Sequence, residues 1–159
     1  MKEYEYSFKV ESIQPIIKYC VNNGYEQKYV SKQNRIVYET KNNSHIIARL
    51  TTENVNNTTS TYFDFKNVDN KNENFKISNE SIALKVTDEN MEAIKSILNV
   101  LEFYEVANNF RTRYVYQKNG VIFEIDDYTK PKMKVVAVEG VDEEVEIVCN
   151  ELKQNKILN

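Results

Sequence analysis

The sequence has little of what builds flexible linkers, disulfide frameworks or histidine sites. Three glycines and two prolines among 159 residues are too few for a flexible linker between domains, so we expect one domain over residues 1–159. Cys20 and Cys149 lie far apart at apolar positions of predicted helices, with no clustered Cys or His partner, which predicts two buried thiols. His45 is the single histidine, which excludes a multi-histidine metal site.

Long apolar runs and a strong net charge are also absent. No stretch of 18 apolar residues exists, and residues 1–5 are polar and alternating where a signal peptide would need an apolar core. We therefore expect a cytoplasmic protein with no membrane partner. The net charge of -3 provides no general field for a polyanion, which excludes extended nucleic acid but leaves room for a local basic pocket. Since no glycine-rich phosphate loop is present, phosphate recognition would have to use side chains.

Periodicity predicts an α+β fold with one sheet of short strands. The first segment, 1–10, alternates with Tyr4, Tyr6 and Phe8 on one face. A helix follows that Ser12 can cap and Gly24 ends, Asp88 opens a second helix, and a third spans about 142–152. The other predicted strands are 35–40, 44–51, 59–67, 81–86, 110–117, 121–128 and 134–139.

Four positions recur at a constant offset and suggest an internal duplication. Ile16, Tyr25, Arg35 and Tyr38 return 78 positions later as Ile94, Phe103, Arg113 and Tyr116. The order of predicted elements also matches in the two parts, about 1–86 and 87–159. Two similar β-rich halves suggest a sheet that closes on itself, and we expect an antiparallel eight-stranded barrel with helices outside.

Charged residues two apart form same-face pairs on three predicted strands. The pairs are Glu3 with Glu5, Arg111 with Arg113, and Glu124 with Asp126. Such charges are typical of a solvated face of an antiparallel sheet. The other interpretation places them inside a barrel, where carboxylates suit Mg²⁺ or Mn²⁺ and arginines suit phosphate oxygens. The spacing alone leaves both open.

The order of these segments resembles the CYTH, or triphosphate tunnel, family, which includes class IV adenylyl cyclases and thiamine triphosphatase-like proteins. The segment from Glu3 to Val10 is similar to the family's opening Glu-x-Glu-x-Lys strand, and 111–114 and 124–128 are similar to its basic and acidic strands. Segment 138–140 resembles its final Glu-x-Glu strand, and segments 45–50 and 63–66 resemble, more weakly, its first-half Arg and Lys strands. The resemblance implies an eight-stranded tunnel of two similar halves.

The resemblance also implies which residues would form a site. Metal coordination falls on Glu3, Glu5, Glu124, Asp126 and Glu139, with Mg²⁺ or Mn²⁺ as cofactor. The resemblance implies that Arg49, Lys66, Arg111 and Arg113 contact phosphate. It implies catalytic roles for Glu5 and Arg113. Three family charges are missing, at Ser7, Ile47 and Ala137. Lys9 lies one pleat beyond the missing lysine, and we expect it to face water.

Several functions follow from these features. The leading hypothesis is a metal-dependent phosphohydrolase that acts on inorganic triphosphate or a nucleoside triphosphate. The three missing charges motivate an alternative, a degenerate module that binds a nucleotide or polyphosphate without turnover. We rank the class IV adenylyl cyclase hypothesis below the hydrolase hypothesis. A purely structural module with a water-facing sheet is a further alternative. The partner is a phosphorylated small molecule, and the sequence leaves a homodimer open.

Overall fold

The chain folds into strands that form one continuous antiparallel sheet, with helices packed on its outer side. The computed structural model describes residues 2–71, 74–140 and 143–158. Within them the elements, in chain order, are β1 (Lys2–Lys9), α1 (Gln14–Asn22), β2 (Glu26–Thr40), β3 (Asn43–Val55), β4 (Thr58–Lys71), β5 (Phe75–Glu80), β6 (Leu84–Lys85), α2 (Asp88–Val100), β7 (Phe103–Lys118), β8 (Val121–Lys130), β9 (Lys132–Gly140) and α3 (Glu144–Gln154).

Eight of these strands close into a barrel. Their order is β3-β2-β7-β8-β9-β1-β5-β4, and β4 pairs back onto β3, while the two-residue β6 adds to β4. The predicted fold class, an α+β antiparallel eight-stranded barrel with helices outside, is confirmed. Eight strands enclose an interior that can hold one small ligand. We call this interior the lumen.

The hydrophobic core lies between the barrel wall and the helices. One apolar cluster packs α1 and α3 on the outer faces of β8 and β9 through Ile16, Cys20, Phe123, Ile125, Val136, Val138, Cys149 and Leu152. A second packs α2 on β3 and β4 through Ala48, Leu50, Phe63, Ile94 and Leu98. Because side chains alternate along a strand, outward apolar residues leave the intervening residues in the lumen.

The two thiols are buried as predicted, and the single histidine lies on the surface. Cys20 and Cys149 are free and buried, and burial raises the pKa of each thiol to about 12, so neither is a thiolate at neutral pH. His45 is exposed near the start of β3. No helix in the ranges given above is long and apolar enough to cross a membrane.

Several predicted boundaries move, and β2 and β7 begin at Glu26 and Phe103, well before the predicted strands 35–40 and 110–117. The predicted strand at 81–86 is wrong: the chain instead forms β5 just before it and only the short β6 within it. Polar β5 has weak strand propensity, but it pairs along β1 in the register Glu5↔Lys76, and such tertiary pairing overrides propensity. Helix α1 begins at Gln14 after Ile13, and Ser12 Oγ accepts a hydrogen bond from the Gln14 N–H at 3.3 Å. Asp142, the predicted start of the last helix, lies outside the described residues.

Candidate functional site

The charged side chains predicted from the sequence converge in one cavity. It occupies the lumen with a volume of about 410 Å³, within the range of small-molecule sites. All of the predicted metal and phosphate residues line it: Glu3, Glu5, Arg49, Lys66, Arg111, Arg113, Glu124, Asp126 and Glu139. The same-face pairs therefore lie on the concave side of the sheet and not on its outer surface.

Three carboxylates form a compact group in the lumen. Glu5 lies opposite Glu139 in the β1–β9 register, and Glu3 is two residues away on the same face. One oxygen from each of the three lies within 4.8 Å of the others. Burial and the charge of Glu139 raise the pKa of Glu3 to about 8, and burial and Glu5 raise the pKa of Glu139. A hard divalent cation would relieve this repulsion, so the donor set fits Mg²⁺ or Mn²⁺.

Glu5 also contacts two ammonium groups. It is 5% exposed, with Oε1 2.7 Å from Lys76 Nζ and Oε2 3.5 Å from Lys66 Nζ. Burial by itself would raise the pKa of Glu5, but Lys76 and Lys66 outweigh it and hold the pKa below its usual range. Glu5 is therefore ionised at neutral pH and stands between the acidic group and the cations of the lumen.

Arg113 holds the other two predicted metal ligands. Its Nε and Nη2 donate to Asp126 Oδ1 and Oδ2 at 2.7 and 2.8 Å, and its Nη1 forms an ion pair with Glu124. Although burial lowers it, the pKa of Arg113 is raised by these Asp126 contacts. Glu124 and Asp126 thus stand apart from the three-carboxylate group. A cation bound to them would have to displace a bidentate guanidinium.

Arg111 has a buried donor without a hydrogen-bond partner among the residues that the structure describes. Its Nε donates to Gln33 Oε1 at 2.9 Å and its Nη1 to the Tyr128 hydroxyl at 2.6 Å. The Nη2 atom is buried without a hydrogen-bond partner. Burial and the neighbouring Arg113 lower the pKa of Arg111. A buried cationic donor without a hydrogen bond is costly unless an acceptor binds it. The unpaired Nη2 atom therefore favours an anionic ligand at this position.

Arg35 is a second guanidinium without full compensation. Its Nε donates to Thr51 Oγ1 at 2.9 Å, and no carboxylate of the described residues lies within 4.0 Å of it. Burial, Arg111 and Arg113 lower the pKa of Arg35 well below its usual range. Arginine presents a planar fork of donors that matches phosphate oxygens. Arg35 and Arg111 therefore form the part of the lumen best suited to an anionic ligand.

The two remaining predicted phosphate residues are tied to acids. Arg49 donates to Asp64 at 2.9 and 2.5 Å and lies 3.0 Å from Glu80 Oε1. Lys66 Nζ is 3.2 Å from the same Glu80 oxygen. Burial lowers the pKa of Arg49, but the Asp64 hydrogen bonds and Glu80 raise it overall. Both cations are fixed in position and keep their charge.

Three charged residues of the lumen are absent from the predicted site: Arg35, Lys76 and Glu80. The sequence did contain a sign of Arg35, because it is the counterpart of Arg113 in the internal repeat. Lys76 and Glu80 belong to β5, whose polar composition indicates a turn rather than a strand. Only the β1–β5 register brings Lys76 opposite Glu5.

The three departures from the family pattern also line the lumen. Ser7, Ile47 and Ala137 all face the cavity, and Ser7 lies directly opposite Ala137 in the β1–β9 register. Lys9 is exposed, as expected, and is not a lining residue of the cavity. The lumen thus has neutral side chains at three positions where the family pattern has charges, and Ile47, opposite Lys66 in the β3–β4 register, lies apart from the other two.

The Glu80→Gln variant is expected to be less stable at pH 7 than the wild type, by about 1–2 kcal/mol. Burial by itself raises the Glu80 pKa, but Arg49 and Lys66 lower it to about 2. A lowered pKa contributes stability that is present above the unfolded value of 4.5 and lost as the pH falls through the folded value. Urea unfolding from pH 7 to pH 3 should therefore show the difference shrinking.

An exposed carboxylate provides the control for this experiment. Glu26 forms a surface ion pair with Lys28 at 2.8 Å, with 72% of its side chain exposed. The Glu26→Gln variant should differ from the wild type by less than about half a kcal/mol at every pH. A Glu80→Gln difference that stayed constant down to pH 3 would contradict the assignment of Glu80 to an ionised, cation-bound state.

Comparison with known proteins identifies structures with the same fold but does not identify a family for this chain. No family model and no curated protein matches the sequence. Among solved structures the chain is similar to the PH1012 protein of Pyrococcus horikoshii, with 22% identity, a TM-score of 0.73 and coverage of 99% of this chain and 91% of that chain.

Two further solved structures show how widely this architecture is used. HpAC1 from Hippeastrum, a candidate adenylyl cyclase described as having a dominant triphosphatase activity, has 13% identity, a TM-score of 0.68 and coverage of 98% and 88%. A chain of the Schizosaccharomyces pombe Mediator head module has 10% identity, a TM-score of 0.64 and coverage of 100% and 97%. At these identities the likeness shows a shared fold: an antiparallel barrel, here with a charged lumen.

Proposed function

We propose that this chain is a divergent member of the CYTH family and a divalent-metal-dependent phosphohydrolase that acts on a triphosphate, inorganic or nucleoside-linked. One observation carries the proposal. Three carboxylates whose oxygens lie within 4.8 Å of one another share a lumen with Arg35 and with Arg111, whose Nη2 is buried without a hydrogen-bond partner among the described residues. A cation and an anionic ligand together would satisfy both groups, and a metal-bound triphosphate supplies both.

The acidic group would hold the metal. Glu3, Glu5 and Glu139 would coordinate Mg²⁺ or Mn²⁺, which supplies neutralisation of phosphate charge and polarises the scissile phosphoryl group. Glu5 is the ligand already ionised without the metal, because Lys76 and Lys66 lower its pKa. Glu3, whose pKa is about 8, would release its proton when the cation binds.

The basic residues would hold the phosphates. Arg111 Nη2 and Arg35 would donate to non-bridging oxygens, and Lys66 and Arg49 would add charge. Arg113, oriented by Asp126, would stabilise charge that develops as water attacks the terminal phosphorus. These groups are fixed before the ligand arrives, so they need little reorganisation. In this proposal Glu5 and Arg113 have the catalytic roles.

The Glu5→Gln variant is expected to lose about 100- to 1,000-fold in turnover, because the change removes a charge that contacts Lys66 and would hold the metal. The measurement is phosphate release from tripolyphosphate and nucleoside triphosphates with Mn²⁺, with and without chelator. Glu11→Gln, at an exposed bend after β1, is the matched control and should keep wild-type activity. Thermal midpoints of both variants check folding, and Glu3→Gln provides a second test if Glu5→Gln is unstable.

Metal-independent turnover, or equal turnover in Glu5→Gln and the wild type, would reject the hydrolase proposal. Cyclic AMP formed from ATP in the same assay would favour the cyclase instead. Calorimetry on the same samples tests the alternative of a binding module. Tight, metal-dependent binding of tripolyphosphate with no phosphate release would support that alternative.

The binding module is favoured by one specific observation. Ser7, Ile47 and Ala137 leave the lumen without three charges of the family pattern. In addition, Glu5 and Arg113 already have partners inside the protein, so a ligand must compete with Lys76 and Asp126 for them. A site so neutralised would still attract an anion through Arg35 and Arg111.

A further inference from the structure

One part of β7 has a neighbouring strand on one side only. Residues 103–109 pair with β2, whereas the pairing of β7 with β8 begins only at Phe110, opposite Lys130. Among the residues that the structure describes, no strand pairs with the other edge of 103–109. We call residues 104–109 the open edge. Backbone N–H and C=O groups along such an edge can pair with a strand from another chain.

The open edge lacks the lysine that protects a second edge of the same kind. Residues 26–31 of β2 extend beyond the end of β3, and they lie 78 positions before the open edge. Here Lys28 lies at an irregularity of the β2–β7 register and forms an ion pair with Glu26 at 2.8 Å. A lysine on an edge strand discourages pairing with another chain. The residue 78 positions after Lys28 is Val106, which also lies at an irregularity of this register.

Apolar side chains are exposed on and beside the open edge. Tyr104 and Val106 lie on it, Leu101 precedes it and Phe110 follows it, and these four are between 41% and 49% exposed. Covering apolar surface removes it from water and favours association. The segment therefore combines unpaired backbone with apolar surface, and a partner strand would cover both.

The charges around the open edge differ between its two ends. The exposed side chains near Tyr104 include three carboxylates and one ammonium group, those of Glu39, Glu102, Glu105 and Lys41. Near Asn109, at the β8–β9 turn, lie the exposed ammonium groups of Lys130 and Lys132. An antiparallel strand with the same sequence would place the acidic end of one copy beside the basic end of the other. This charge complementarity favours a second copy of the chain as the partner.

We infer that two copies of this chain associate by antiparallel pairing of their open edges, around a two-fold axis between Val106 and Ala107. The pairing stops where Lys130 already occupies the position opposite Phe110. The same surface serves both copies, as a two-fold dimer requires. Because so short a strand pair is a small interface, we expect a dimer that dissociates at micromolar concentrations.

This register places a side chain of each copy at the lumen of the other. Tyr104 of one copy lies opposite Asn109 of the second copy, and opposite residues share a face of the sheet. Within its own chain Tyr104 pairs with Glu39, which is two residues from Val37, a lining residue of the lumen. Asn109 also lines the lumen. The second copy's Tyr104 would therefore stand beside Asn109 at the rim of the cavity.

On the outer face the same register brings opposite charges together. Glu105 lies opposite Tyr38, which packs with the α2 cluster, and Lys130 lies opposite Phe110 with its Nζ 6.0 Å from the ring centroid. Lys130 of one copy would therefore be two strand positions from Glu105 of the other. Long side chains at this separation on one face can reach each other.

Sedimentation equilibrium over a micromolar to millimolar concentration series tests the inference. The wild type should show a reversible equilibrium between monomer and dimer. The Val106→Lys variant places two ammonium groups beside the axis, so its dissociation constant should be at least about tenfold higher. Val21→Lys, at a residue of α1 that is 61% exposed, is the matched control and should keep the wild-type dissociation constant.

An exchange of charges provides a second test, which does not depend on the folding of Val106→Lys. Glu105→Lys and Lys130→Glu should each weaken the dimer by about twofold or more. The double variant should recover the wild-type affinity, because its charges attract again with reversed signs. Thermal midpoints check that each variant is folded.

A chain that stays monomeric over the whole series would overturn the inference. A dimer whose dissociation constant is unchanged in Val106→Lys would do the same, because it would use another surface. Either result leaves the proposed function standing, since the carboxylates and guanidinium groups on which that function depends belong to one chain.

Discussion

The Asp126→Asn variant is expected to unfold with a free energy about 3–5 kcal/mol lower than that of the wild type. Asp126 is 3% exposed. It accepts two hydrogen bonds from Arg113 and lies 3.4 Å from Arg111 Nη1. Burial by itself would raise the Asp126 pKa, but Arg113 and Arg111 hold it below its usual range. Removing the charge takes this carboxylate from two buried guanidinium groups and leaves Arg113 only its Glu124 ion pair. Breaking a buried pair by removing one partner is costly.

Urea unfolding at pH 7 measures this loss, and the adjacent acid provides a close control. Asp127 faces the outer side of β8, with its nearest cation, Lys134, at 3.9 Å. Asp127→Asn should cost less than about half a kcal/mol. Tripolyphosphate should restore part of the stability of Asp126→Asn, because an anion can replace the missing carboxylate. Equal stability of the two variants would contradict the described lumen.

The Arg35→Met variant is expected to bind triphosphate about 10- to 100-fold more weakly while its ligand-free form becomes more stable, by about 1–2 kcal/mol. The two effects have one cause. No carboxylate of the described residues forms an ion pair with Arg35, and burial together with Arg111 and Arg113 lowers its pKa, so the ligand-free protein bears an incompletely compensated cation. A phosphate oxygen would supply the missing partner through a charge-assisted hydrogen bond.

Affinity by calorimetry and stability by thermal unfolding should be measured on the same Arg35→Met sample. Arg113→Met is the matched comparison, because Arg113 has the Asp126 and Glu124 partners that Arg35 lacks. That variant should lose both affinity and stability. If Arg35→Met lost stability as well, Arg35 would have a structural role, and the proposal of an anion site around it would fail.

The local features of the fold could be predicted from the sequence, whereas pairing between distant strands could not. The alternation Glu3-Tyr4-Glu5-Tyr6 identifies both a strand and its charged face, because neighbouring side chains on a strand point to opposite sides. Closure of the barrel is not visible in any one segment. It was expected from the order of segments and the family resemblance, and the β3–β4 pairing confirms it.

For the candidate site too, local features could be predicted from the sequence and contacts between distant strands could not. Which residues face the lumen follows from period-two spacing, and all of the predicted residues line the cavity. Which of them contact one another depends on register: Asp126 lies opposite Arg113, so it meets a guanidinium, whereas Glu139 lies opposite Glu5, so it meets another acid. Lys76 could not be found because β5 has the composition of a loop. The assignment of two duplicated halves stays a prediction.

The placement of the apolar packing outside the barrel wall separates the hydrophobic core, although not the buried ion pairs, from the surface that would contact a ligand. Helices α1, α2 and α3 press on the outer faces of the strands, so residues such as Ile47, Ala137 and Ser7 can be exchanged without disturbing the contacts that fold the chain. An architecture of this kind tolerates drift in its binding chemistry while its scaffold persists. That tolerance agrees with barrels that superimpose over nearly their whole length at identities between 10% and 22%.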